Sequence, residues 1–367
     1  MRRFSWKAWA LMAGLGGLAG TLLVAAGAVC FTSGCSTLGY YAQAANGHLD
    51  LLQRSRPVAD WLADETTPAP LRERLELSQR MRDFAVAELK LPDNRSYRRY
   101  ADLGRSAVVW NVVAAPELSL ELKTWCFAFT GCIGYRGYFR KEAADAMAAQ
   151  LRAEGYEVSV YGVPAYSTLG RTDWLGGDPL LNTFLNWPEG ELARLIFHEL
   201  AHQVVYVDDD TTFNESFATA VERIGGARWL LRHGSQAARD DHAALTERRA
   251  EFRELTLRYR DSLAALYATA LPPETQRQRK ATLLAAMRAE HQQLKATRWA
   301  GFTGYDRWFD EANNASLGVL AAYFDLVPGF ERLFDRSGGD FERFYAEVRT
   351  LAALPREQRR ATLESLR

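Results

Sequence analysis

Two histidines and a glutamate near the middle of the chain have the spacing of a zinc-binding helix. They are His198, Glu199 and His202, in the segment RLIFHELAHQVV (residues 194–205). Residues i and i+4 of an α-helix lie on one face, so both imidazoles could reach one Zn²⁺. The intervening glutamate could then accept a proton from a water molecule at the metal, as a general base. The alternative is an amphipathic helix whose histidines pack in the core and whose glutamate faces solvent.

A third ligand is expected further along the chain, because catalytic zinc has three protein ligands and one open position. Glu215, in the segment FNESFATAVE, is separated from His202 by twelve residues, and we predict it to be that ligand. Glu222 would share its helix face and is the alternative third ligand, or a residue that orients a histidine. Each carboxylate also has a structural interpretation. Thr212 and Glu215 have the spacing of a capping box, and Glu222 could be a solvated surface charge.

Hydrophobic periodicity predicts the elements that must position these residues. Apolar residues at helical spacing predict one helix from Glu189 to Val205 and another from Asn214 to about His233. Residues 106–140 and 156–163 are rich in β-branched and aromatic side chains, which predicts strands. Two long charged helices predict a helical hairpin over residues 236–298. The fold class is therefore α+β, with a small mixed or antiparallel sheet packed on the histidine-bearing helix and a mostly helical C-terminal half.

The composition narrows the function classes. The 367 residues include 45 Lys or Arg and 45 Asp or Glu, so the formal net charge is zero. This balance gives no electrostatic reason to expect nucleic-acid binding. Hydrophobic residues make up 48% of the chain, which is typical of a globular protein with a real core. Because no linker rich in glycine and serine interrupts residues 36–367, we expect them to form a single domain.

The first 35 residues are predicted to target the protein to the cell envelope. A basic start is followed by an apolar run from Ala8 to Phe31 and then by Thr32-Ser33-Gly34-Cys35. This is the order of an export signal, and small residues before a cysteine resemble a bacterial lipobox, in which Cys35 would carry the lipid. Thr32 departs from that pattern, since leucine is usual there. About 20 apolar residues can also span a bilayer, so an uncleaved anchor is the alternative.

Both interpretations place residues 36–367 outside the cytoplasm, facing the periplasm. If the lipobox is used, Ser36 favours sorting to the outer membrane. In an oxidising periplasm, Cys126 and Cys132 could form a short disulfide. Two free buried thiols are the alternative.

The two central motifs together resemble those of a known class of enzymes. H-E-x-x-H followed by N-E-x-F-A resembles the gluzincin metallopeptidases, which include thermolysin and the aminopeptidase N family. The resemblance implies a zincin-like fold in which His198, His202 and Glu215 bind zinc and Glu199 is the general base. The gap of twelve residues is shorter than the usual gluzincin spacing. Glu222 lies closer to that spacing, but no asparagine precedes it.

A closer resemblance covers nearly the whole chain. Its segments are, in order, GCSTLGYYAQAANGHLDLL, YRGYF, AYSTLG, DPLL, HELAHQ, FNESFAT and NNASLG. Together they resemble the predicted zinc aminopeptidases of Gram-negative bacteria, which are often lipoproteins. This implies an envelope enzyme that hydrolyses peptide bonds with a zinc-activated water. The alternatives are a zinc amidase that acts on peptidoglycan peptides and a non-catalytic lipoprotein that uses the fold as a binding scaffold.

The motifs leave two roles in such an enzyme open. The aminopeptidase N family binds the substrate's free amine through the glutamate of a Gly-Ala-Met-Glu-Asn segment, where this chain has AYSTLG (residues 165–170) without a glutamate. Asp173, Asp178 or Glu222 could replace it. A donor to the tetrahedral oxyanion is also required, and Tyr166 is the preferred candidate. The other candidates for that donor are Tyr206, Tyr138 and Arg136.

Overall fold

The computed structural model describes residues 35–127, 131–165, 167–170, 173–208, 210–320 and 326–366. Within them the chain forms thirteen α-helices and eight strands. The helices are α1 (Cys35–Arg54), α2 (Val58–Ala63), α3 (Ala69–Ala87), α4 (Lys141–Ala153), α5 (Glu189–Ala201), α6 (Thr211–His233), α7 (Gln236–Tyr267), α8 (Pro273–Thr297), α9 (Asp306–Asp310), α10 (Asn314–Leu320), α11 (Val327–Arg336), α12 (Phe341–Ala352) and α13 (Arg356–Ser365). The strands are β1 (Arg56–Pro57), β2 (Arg99–Ala101), β3 (Val109–Pro116), β4 (Trp125–Phe127), β5 (Gly131–Ile133), β6 (Arg136–Tyr138), β7 (Tyr156–Val163) and β8 (Leu180–Leu181).

The strands form small sheets with β3 as their longest buried element. β6, β3 and β7 make an antiparallel sheet in which Val112 lies opposite both Arg136 and Val160. Helices α4 and α10 pack on β3 and β7, so the middle of β3 is fully buried. β1, β2 and β8 make a mixed sheet, with β2 and β8 parallel. β4 and β5 pair so that Cys126 lies opposite Cys132, and the two residues are joined by a disulfide.

Helix α5, which carries His198 and is capped at its C-terminus by His202, is packed mainly by other helices. Its most extensive contacts are with α6, and it also contacts α3 and α7. The apolar face includes Leu192, Ile196, Phe197 and Leu200, all with no exposed surface. Burying each such side chain is worth about 1.5–3 kcal/mol, so this face determines how α5 sits in the core. Helices rather than strands therefore supply most of the packing around the motif.

Helix α5 ends earlier than the apolar pattern predicts. It stops at Ala201 rather than Val205, and the next amides bond three residues back, from Gln203 to Leu200 and from Val204 to Ala201. These tighter bonds are typical of a helix terminus. The prediction was wrong because Val204 and Val205 continue the apolar stripe, although the chain must already turn back there toward α6.

Helices α7 and α8 form a long antiparallel hairpin. Near its open end Arg298, just after α8, pairs with Glu247, and near the turn Gln276 bonds to the Thr269 carbonyl. The hairpin has its own core, which includes Leu263, Met287, Trp299 and Phe309. With the small sheets and the helices that follow, this confirms the predicted α+β class and its mostly helical C-terminal half.

The chain divides into two compact units, residues 1–51 and residues 52–367, and all the residues of the site below lie in the second. The signal or anchor is predicted over residues 1–35, and all of it except Cys35 lies outside the described residues. Among the helices that are described, none has the length and apolarity needed to cross a bilayer.

Candidate metal centre

Three side-chain donor atoms converge between α5 and α6. The Nε2 atoms of His198 and His202 lie 3.2 Å apart, and Glu215 Oε2 lies 3.3 Å from the first and 3.8 Å from the second. A tetrahedral zinc with bonds of about 2.0–2.1 Å would hold its donors about 3.3–3.4 Å apart. The spacing and chemistry of this donor set therefore fit zinc. In the described part of the chain it is the one group of three His, Cys, Asp or Glu donors this close together.

Contacts at the start of α6 fix the position of Glu215. Asp210 caps this helix by accepting a hydrogen bond from the Phe213 amide, and Arg359 of α13 holds the same carboxylate at 2.8 Å. Asn214 binds the connection from α5, because its amide accepts from the Val207 N–H and donates to the Val207 carbonyl. Thr212 is inside the helix rather than its N-cap, so the capping-box interpretation of Glu215 was wrong. Its carboxylate faces the two imidazoles instead.

Glu222 lies on the other side of the His198 ring. Its Oε2 is 3.0 Å from Nδ1 of His198, and its Oε1 accepts a hydrogen bond from Arg194. Burial would raise the pKa of Glu222, but hydrogen bonding to His198 and the charge of Arg194 lower it to about 2. Burial likewise opposes the charged form of His198, yet hydrogen bonds to Glu215 and Glu222 raise its pKa well above the ordinary value. The two glutamates thus contact opposite nitrogens of one imidazole.

Glu199 borders the same cleft and has an unusual pKa. Burial raises the pKa of its carboxyl to about 7, and a hydrogen bond from Ser167 acts in the opposite direction. The cleft is a cavity of about 340 Å³ lined by Glu199, His198 and Glu215. Its other walls include Trp187, Leu195, Thr219, Glu222 and, from α7 of the hairpin, Arg249. A carboxyl group with a pKa near neutrality, beside a converging donor set, is suited to moving protons.

Comparison with known proteins identifies the family of the chain. The sequence matches the family described as "putative aminopeptidase" over residues 39–363. The chain belongs to that family. Membership supports a peptidase-like function. No curated protein and no solved structure matches the chain.

An aminopeptidase must also bind the free amine of its substrate, and three acids were candidates for that role. Asp173 accepts a hydrogen bond from the Arg95 amide at 2.7 Å. Asp178 is buried and accepts from the hydroxyl of Thr168 at 2.8 Å. Glu222 is engaged by His198 and Arg194, as described above. Each of these carboxylates already has a donor from the protein itself.

The candidates for the oxyanion donor differ in their burial and in their distance from the donor set. Tyr166, the preferred one, lies outside the described residues. Tyr206 follows α5, is 45% exposed, and its ring lies edge-on to His202 with the centroids 6.2 Å apart. Tyr138 is buried in β6, and the Arg136 guanidinium lies over its ring. Among the described candidates, Tyr206 is therefore the one in ring contact with the donor set.

Several residues of the site were missed from the sequence. Ser167 contacts Glu199, and Arg194 and Glu191 line the same cleft together with Arg249 of the hairpin, which pairs with Glu191. Arg194 is one helical turn before His198, and that spacing was the only local signal for it. The partners of these side chains come from other elements, and no spacing along the chain reports them.

Proposed function

We propose that this member of the putative aminopeptidase family is a zinc-dependent metallopeptidase. His198, His202 and Glu215 would hold one Zn²⁺, and Glu199 would be the general base. The observation that carries the proposal is the convergence of three donor atoms with separations of 3.2, 3.3 and 3.8 Å. When bound, zinc supplies Lewis acidity for the scissile carbonyl and lowers the pKa of water.

The protein's own residues would divide the remaining work. Glu199, whose pKa burial raises to about 7, would take a proton from the attacking water and pass it to the leaving amine. Ser167 would hold the carboxylate of Glu199 toward the cleft. Tyr166 precedes Ser167 in the chain, which supports it as the donor to the oxyanion, and Tyr206 is the second candidate. Glu222 would orient His198 from Nδ1, as carboxylates behind metal-binding histidines commonly do.

The substrate class follows from the family and the cleft. A cavity of about 340 Å³ that opens beside Glu199 suits a short segment of peptide. Action on the amino-terminal residue is supported by the family description alone. Peptides, including those of peptidoglycan, are therefore the substrates to try first.

The ligand assignment can be tested by metal content. Glu215→Ala should lose zinc, because two histidines leave the site one ligand short. Glu222→Gln, the matched control, should retain about one zinc per chain with weaker affinity, since Gln keeps the size of the side chain and removes its charge. Metal analysis of purified wild type and both variants provides the measurement. Zinc lost from Glu222→Gln but kept by Glu215→Ala would move the ligand to Glu222, and a wild type without zinc would end the proposal.

We propose further that the protein is a lipoprotein of the envelope, exported through residues 1–35 and held by a lipid on Cys35. The support is the basic start, the apolar run and the small residues before this cysteine. Labelled fatty acid should be incorporated into the wild type and not into Cys35→Ala, which should remain an unprocessed precursor in the membrane. A wild type without label would replace the lipid by the uncleaved anchor.

A further inference from the structure

A chain of alternating charges runs from the His198 ring to the helical hairpin. Glu222 contacts Nδ1 of His198 and pairs with Nη2 of Arg194. Nη1 of the same guanidinium lies 3.5 Å from Glu191 Oε1. The other oxygen of Glu191 accepts a hydrogen bond of 2.5 Å from Arg249 on α7. The order is therefore imidazole, carboxylate, guanidinium, carboxylate, guanidinium, and it connects α5, α6 and α7.

Arg194, the central residue in this series of charges, is buried. Arg194 is only 8% exposed, and a charge so deeply buried is costly unless it is paired on each side. Its planar guanidinium can bind two carboxylates at once in a fixed geometry, which a lysine could not do. Gly226 of α6 makes room for it, because a Cβ on that residue would lie 2.7 Å from Arg194 Cγ. The close approach of α6 to α5 therefore depends on a glycine opposite this arginine.

We infer that Arg194 is a positioning residue of the metal centre: it holds Glu222 against Nδ1 of His198, and Glu191 and Arg249 extend this support to the hairpin. The inference rests on the proposed zinc site. A carboxylate at Nδ1 fixes the tautomer and the ring orientation that present Nε2 to a metal. Without the guanidinium, Glu222 and Glu191 would lack their shared cation, and of the two only Glu191 would keep another arginine, Arg249. Glu222 would then lose its fixed place behind the imidazole.

A purely structural role for the same ion pairs makes a different prediction. Pairs that only join helices should change stability when they are removed, but not the affinity of the folded protein for zinc. The helix α7 offers a matched control. Arg258 pairs with Glu290 across the hairpin at 2.5 Å and is 54% exposed, and this ion pair joins α7 to α8 without involving α5. Exposed pairs of this kind contribute about 0–1 kcal/mol, so its removal should disturb little.

The test is the zinc dissociation constant of the full-length protein in detergent, measured by competition with a chelator. Arg194→Gln should weaken zinc binding by about 10–100-fold, as is typical when a supporting partner of a metal ligand is removed. Arg194→Lys should recover part of the affinity, because it restores the charge without the fork. Arg249→Gln should weaken binding less than Arg194→Gln, and Arg258→Gln should leave it unchanged.

A double variant separates action through Glu222 from an independent effect. If Arg194 acts by holding Glu222, then Arg194→Gln combined with Glu222→Gln should cost less affinity than the product of the two single effects. Effects that multiply would overturn the inference, as would wild-type affinity in folded Arg194→Gln. Should Arg194→Gln fail to fold, Arg249→Gln against Arg258→Gln decides the matter, and equal affinities there overturn it. A wild type that binds no zinc would instead refute the proposed metal site, and this inference with it.

Discussion

Two regions of the molecule hold buried histidines on helices beside acidic groups, yet they are built differently. In the candidate site, His198 of α5 and His202, the residue that caps its C-terminus, face Glu215, and His198 borders a cavity of about 340 Å³. In the hairpin, His291 of α8 has no exposed surface, and its Nε2 lies 3.5 Å from Asp306 Oδ1. Lys295 also pairs with that aspartate, at 2.5 Å.

The difference shows that a buried histidine beside an acid is not enough to make a site. The ring of His291 stacks on Phe309 with the centroids 4.0 Å apart, and Trp299 lies 5.6 Å away, so apolar partners fill the space around it. Its acid is shared with a lysine, and burial lowers the pKa of His291. In the candidate site, the open side of the imidazole meets a second imidazole and a carboxylate instead. Convergence of donor atoms at a cavity distinguishes the two regions.

The largest effect is expected from the loss of proton transfer by Glu199 in the candidate site. Glu199→Gln keeps the size of the side chain but cannot accept a proton. We expect it to retain about one zinc per chain and to lose about 10²–10⁴-fold in peptide hydrolysis, the usual contribution of a positioned acid–base group. Hydrolysis of a peptide library and metal content should be measured on the same preparation. Near-normal hydrolysis by the zinc-loaded variant would remove Glu199 from the mechanism.

The second test compares the two histidine environments directly. His291→Ala should lower the free energy of unfolding by about 2–4 kcal/mol, because it leaves a cavity among aromatic partners, and it should leave the zinc content unchanged. His202→Ala, in contrast, should abolish stoichiometric zinc binding. Denaturant unfolding and metal analysis of both variants would show this. Zinc loss from folded His291→Ala would mean that the hairpin core takes part in metal binding.

Local patterns predicted the elements well where the apolar residues follow a clear period. The strand predicted at residues 156–163 is β7, and apolar and polar residues alternate in it from Tyr156 to Val160. The hairpin helices could be recognised from their apolar stripes in the same way. The end of the helix from Glu189 was missed by four residues, since Val204 and Val205 extend the stripe and the turn there is held by Asn214, which lies in the next helix.

The sequence by itself determined the donor types and the placement of His198 and His202 on one helix face, because the period of an α-helix is local. It also restricted the third ligand to two glutamates, Glu215 and Glu222. Their separation of seven residues puts them on one face but about 10 Å apart along α6, so no helical pattern can choose between them. Only the tertiary structure decided that Glu215 lies at Nε2 of His198 and Glu222 at Nδ1. The reason is that the offset of α6 along α5 depends on distant partners, including the glycine that lets α6 approach Arg194.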